Sequence, residues 1–108
     1  MTPLEIQKQL AELTAENSKG YEALYQAEVA LAQAEHDLDT IEQKAFIAAE
    51  GTVRDREAIA KLKAAEARLK RDLLRAQATR IKMKIRAIES ALMASATQAK
   101  LIQSELRA

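Results

Sequence analysis

The sequence predicts an all-α protein, a long antiparallel helical hairpin that forms a coiled coil and assembles into an oligomeric bundle. Three observations carry that reading. Alanine, the best helix former, occurs 23 times in 108 residues, against two glycines and one proline. Apolar residues recur with a seven-residue period over most of the chain. One short interruption, "EGTVRD", divides the pattern into two halves. The length allows one domain at most. Residues 1–108 therefore read as a single hairpin, with a helix over about 3–50, a turn at 51–52 and a helix over about 53–106.

The first helix starts at Thr2-Pro3-Leu4-Glu5. Thr2 can accept a bond from a free N–H, proline suits the first helical position, and Glu5 can complete a capping box. With Leu10 at position a, the a series is Leu10, Asn17, Leu24, Leu31, Leu38 and Ala45. The d series is Ile6, Leu13, Gly20, Ala27, Ala34, Ile41 and Ala48. Asn17 and Gly20 are the weak point of this seam. Asparagine at a sets register or oligomer state, and Gly20 is either a kink or a close-approach site. A break at "ENSKGY" would instead fold the chain into a three-helix monomer.

At the turn, Gly51 can take the left-handed conformation that ends a helix, and Thr52 can cap the next one, with Asp55 three residues on. In the second helix, Ile59, Leu62, Leu69 and Leu73 form a first seam. Ile81, Ile85, Ile88, Leu92, Ala99, Ile102 and Leu106 form another, reached through a four-residue stutter at Gln77. A turn this short makes the helices antiparallel neighbours, with arms of about 70 Å. Leu31, Leu38 and Ile41 should then pack on Leu62, Leu69 and Leu73. The apolar end, which also carries Met83 and Met93, is broader than one partner helix covers. Ile81, Ile85, Ile88 and Leu92 are accordingly the expected homo-oligomer interface.

The net charge of +1 hides a segregation. Residues 1–50 hold three basic and ten acidic residues, a balance of −7, and residues 51–108 hold 14 basic and six acidic, a balance of +8. Part of this fits an ion-pair ladder that fixes the antiparallel pairing, Glu42 with Lys63 and Glu35 with Lys70. Arg54, Lys61, Arg68, Arg75 and Lys82 recur every seven residues away from the seam, with Arg71 and Arg86 beside them. They make a basic stripe about 48 Å long. A single-sign stripe suits a phosphate backbone, since each neutralised phosphate releases counterions. An ordinary solvated face would carry the same residues. Tyr21 and Tyr25 give little base stacking, so binding that tolerates any sequence is the form expected.

Other classes are excluded. There is no cysteine, hence no disulfide and no thiolate metal site. His36 is the only histidine and falls on an outward position. There is no nucleophile–base pair, no phosphate-cradling glycine loop and no Glu-x-x-His pair. A non-enzyme without cofactor or metal is expected. No apolar run reaches membrane-spanning length, and "MTPLEIQKQL" carries no secretory signal. A cytoplasmic protein without a membrane partner is the expectation.

The acidic alanine-rich first helix, the turn "AEGTVRDREA" and the basic second helix ending in "ESALMASATQAKLIQSEL" resemble small helical proteins of phage recombination and replication regions. In outline the layout is similar to the recombination mediators of T-even phages. That resemblance implies a self-assembling hairpin in the host cytoplasm that acts on single-stranded DNA alongside a recombinase. The leading expectation is thus a sequence-tolerant nucleic-acid-binding accessory protein. The other is a coiled-coil scaffold, adaptor or inhibitor that docks a protein partner through the apolar end.

Overall fold

The computed structural model describes residues 2–107, so Met1 and Ala108 of the expected 1–108 span lie outside the described residues. The chain is an all-α hairpin, with α1 over Pro3–Ala48, α2 over Val53–Lys63 and α3 over Ala65–Arg107. Both helix starts follow the sequence. The Glu5 N–H donates to Thr2 Oγ1 at 3.2 Å and the Thr2 N–H donates back to Glu5 Oε2 at 3.3 Å, a complete capping box. Thr52, at φ −69° and ψ 162°, accepts from the Asp55 N–H at 3.2 Å. Gly51 has φ +113°, a region that penalises any side chain. Helix α1 runs unbroken through Asn17 to Tyr21, which removes the three-helix alternative.

Backbone contacts gather the chain into two compact units. One joins the two chain ends, up to Leu24 and from Arg80 onward. The other is Tyr25–Thr79 and contains the turn.

In the turn-containing unit the fully buried residues are alanines, with Leu38 among them. Ala27, Ala34, Leu38 and Ala45 of α1 are buried, and so are Ala60, Ala64 and Ala78 of the returning chain. The expected leucine seam is overturned: Leu62, Leu69 and Leu73 are 78%, 60% and 63% exposed. Ile41 is also exposed, and of the α1 trio only Leu38 is fully buried. The physical reason is closeness. Alanine on both faces lets two helices approach further than leucine would, since side-chain size at the contact sets the interaxial distance. Close approach gains dispersion along the whole backbone, while the leucines point away.

The stutter at Gln77 is corrected as well. Positions 60, 67, 74, 81 and 88, with 64, 71, 78 and 85, are all buried or half-buried, a heptad repeat without interruption. The irregularity falls elsewhere, at Ala64, with φ −90° and ψ 3°. The Ala64 N–H still reaches Ala60 O at 3.0 Å, and Arg68 N–H reaches Ala64 O at 2.9 Å. Neither glycine nor proline marks this site. It coincides with full burial, since Ala64 is 0% exposed.

Helix α1 has no basic residue in its last turn. Arg56 supplies the charge from α2: its Nε donates to the Phe46 carbonyl at 3.1 Å, and its guanidinium lies 4.3 Å from the centre of the Phe46 ring. One side chain thereby caps an end carbonyl, opposes the helix dipole and stacks on an aromatic face. Arg56→Ala should lower stability by about 1–2 kcal/mol in urea unfolding followed by circular dichroism. Arg56→Lys should recover only part, because lysine keeps the charge and loses the planar fork. A neutral Arg56→Ala would show that the cap does not hold the turn.

In the unit of the chain ends, Ile6, Ile85, Ile88 and Ser95 are buried. A Cβ added at Gly20 would sit 3.0 Å from Ile85 Cγ1, so Gly20 is a close-approach site and not a kink. Tyr21 OH donates to Glu89 Oε1 at 2.5 Å. That bond, the neighbouring carboxylate charge and some desolvation raise the Tyr21 pKa above its ordinary value, so it remains a donor.

Candidate nucleic-acid interface

The ion-pair ladder exists, with different cations from those expected. Glu42 Oε1 meets Arg68 Nη2 at 3.1 Å, and Glu35 Oε1 meets Arg75 Nη2 at 3.5 Å. Each acid pairs five residues beyond the lysine assigned to it, Arg68 in place of Lys63 and Arg75 in place of Lys70. Side-chain direction explains the offset. Helical side chains lean toward their own N-terminus. On α1 that lean carries glutamate away from the turn, and on the returning helix it carries arginine toward the turn. The pair therefore closes between residues staggered along the hairpin. Glu35–Arg75 is exposed and Glu42–Arg68 half-buried, and such solvent-reached pairs stabilise by about 0–1 kcal/mol each. Arg68 Nη1 also reaches the Lys61 carbonyl at 3.5 Å, the long limit of such a bond.

The expected basic stripe is thereby divided. Arg68 and Arg75 belong to the ladder, and Arg71 is half-buried with its Nε on Asp72 Oδ1 at 2.8 Å. Arg54, Lys61, Lys82 and Arg86 are exposed, and Lys82 takes part in a further interaction. Lys63 and Lys70, released from the ladder, are exposed too. On the returning chain of the turn-containing unit, the exposed cations outside the ladder are Arg54, Lys61, Lys63 and Lys70. In the unit of the chain ends, residues 80–86 add exposed Arg80, Lys84 and Arg86, beside Lys82, and Lys8, Lys19, Lys100 and Arg107 are exposed elsewhere in it. Residues 53–86 hold twelve basic residues against Asp55, Glu57, Glu66 and Asp72.

The expected oligomer interface is corrected in part. Ile85 and Ile88 are 5% and 7% exposed within the chain itself, because Gly20 leaves room for Ile85. They offer little surface to another copy. Ile81 and Leu92 are half-buried. Ile81 lines an open groove of about 450 Å³ with Glu16, Lys19, Gly20 and Ala23. The large apolar side chains that do face outward in this unit are Leu4, Tyr21, Met83, Met93, Leu101 and Leu106.

Sequence reasoning missed Arg56 and misplaced Lys63, Lys70 and the three leucines. The signal was present in Ala60, Ala64, Ala67 and Ala78, which keep heptad spacing with Ile85 and Ile88. Among the described residues, no three histidine or acidic side chains converge as a metal site would require, and no helix is long and apolar enough to cross a membrane. No protein-family model, curated protein or solved structure matches the chain.

Proposed function

We propose that this hairpin is a non-enzymatic, sequence-tolerant nucleic-acid-binding accessory protein that acts on single-stranded DNA in recombination or replication. The observation that supports it is the outward charge of α2 and α3. After the ladder has taken Arg68 and Arg75, Arg54, Lys61, Lys63, Lys70, Arg80, Lys84 and Arg86 still face solvent. These cations lie on more than one flank of the helix. A flexible single strand can follow such a distribution, whereas a duplex presents its phosphates at fixed spacing. Contacts to phosphate alone give no sequence preference.

The test is a salt titration of binding to single- and double-stranded oligonucleotides. Lys61→Ala, Lys63→Ala and Lys70→Ala together should flatten the single-strand slope by about 0.7 for each phosphate that is no longer neutralised. Helicity should persist, since alanine is the better helix former. Arg68→Ala with Arg75→Ala should loosen the hairpin and leave the slope nearly intact. Absence of any salt-sensitive binding in the wild type would refute the reading. The scaffold, adaptor or inhibitor reading would then lead. It is favoured by the exposed Met83, Met93, Leu101 and Leu106, a surface suited to an apolar partner.

A further inference from the structure

Leu62, Leu69 and Leu73 keep coiled-coil spacing, seven and then four residues apart, yet all three face solvent. Counted around the helix, Leu62 and Leu69 lie opposite the seam formed by Ala60, Ala64, Ala67 and Ala78. The returning helix thus carries two seams. The alanine seam is covered by α1, and the leucine seam has no cover within the chain. Large leucines at heptad spacing on a charged helix are what a second helix packs against.

The charge around each face selects the occupant. With Arg68, Arg71 and Arg75 already paired to Glu42, Asp72 and Glu35, residues 53–79 keep Arg54, Arg56, Lys61, Lys63 and Lys70 against Asp55, Glu57 and Glu66, a balance of +2, with exposed Lys63 and Lys70 flanking the leucines and Glu66 between Leu62 and Leu69. With Glu35 and Glu42 taken up by the ladder, residues 25–48 keep Glu28, Asp37 and Asp39 against Lys44, a balance of −2. The outer side of that α1 stretch exposes Tyr25 and Val29, one helical turn apart. It is an apolar pair on an acidic helix, the counterpart of leucines on a basic one. Packing leucine edge on leucine edge would instead set like charge against like charge.

We propose that the Leu62, Leu69 and Leu73 edge of one copy docks on the acidic outer face of α1, at Tyr25 and Val29, of a second copy. The contact joins two different surfaces, so a bound pair still offers one free edge of each kind, one on each copy. Repetition closes a ring or extends a chain, and assembly does not stop at two. The contact needs no nucleic acid, although it shares Lys63 and Lys70 with the phosphate contacts of the reading above, so its test is made without nucleic acid and its failure leaves that reading standing.

Two variants of the full chain test this by mass measurement in solution without nucleic acid. Leu62→Gln with Leu69→Gln removes one edge, and Tyr25→Gln with Val29→Gln removes the other. All four positions are exposed, so helicity should be unchanged. At tens of micromolar, in order of magnitude, the wild type should exceed the mass of a dimer at low salt and shrink as salt rises. Each variant alone should be monomeric. Mixed one to one, they should form a single heterodimer of twice the monomer mass, since each retains the edge the other lacks. Should glutamine at 62 and 69 reduce helicity, Lys63→Glu with Lys70→Glu replaces that variant, and the same mixing result is expected. A monomeric wild type overturns the proposal. So does a Tyr25/Val29 variant that dimerises by itself, which would mean a leucine-to-leucine contact, or two variants that stay monomeric when mixed.

Discussion

Ile85→Ala should destabilise the chain by about 2–5 kcal/mol, the cost of emptying a buried aliphatic site that cannot fully collapse. Ile85 is 5% exposed, and its Cγ1 would lie 3.0 Å from a Cβ at position 20. The sharper result concerns the glycine. Gly20→Ala gains about 1 kcal/mol of helix propensity and loses about 1–3 kcal/mol to overpacking, so it should destabilise the wild type. In the Ile85→Ala background the space is free, and the same substitution should stabilise. A double-mutant cycle by urea unfolding reads that change of sign directly. Additive effects would mean that Gly20 and Ile85 do not share the close approach.

Ala64→Leu should cost about 1–3 kcal/mol, because a side chain with no exposed surface would have to grow toward a neighbouring helix. Leu62→Ala with Leu69→Ala, measured at a dilution where the chain is monomeric, should stay within about 0.5 kcal/mol per site, the range of surface changes. The pairing of a damaging alanine-to-leucine change with harmless leucine-to-alanine changes inverts the usual rule for cores. The opposite ranking in denaturant midpoints would restore the leucines to the interior and leave the second copy with nothing to dock on.

The same inversion redistributes the charges. A narrow seam brings α1 within reach of Arg68 and Arg75, which then spend their charge on Glu35 and Glu42. Lys63 and Lys70 become available to an outside partner, whether phosphate or an acidic helix. In this hairpin, residues that look alike in composition divide into holding and binding roles by their angle around the helix.

The sequence by itself determined the two helical arms, where each starts and their antiparallel order, but not the irregularity at Ala64 that divides the second arm. Those features depend on local chemistry: the Thr2–Glu5 box, the Thr52 cap and the positive φ of Gly51 each involve residues within three positions of one another. The segregation of acid and base was equally legible, and with it the existence of a ladder. Only the tertiary structure decided which face of the returning helix turns inward. Leucine burial favours one face by transfer energy, and alanine favours the opposite face by allowing closer backbones. Counting apolar residues cannot rank these, because the second depends on what both helices present at once. Ala27, Ala34 and Ala45 on one side and Ala60, Ala64 and Ala78 on the other make the close seam possible together. Once that seam is chosen, the heptad runs unbroken, the ladder moves from the lysines to the arginines, and Ile85 turns toward Gly20 and away from solvent.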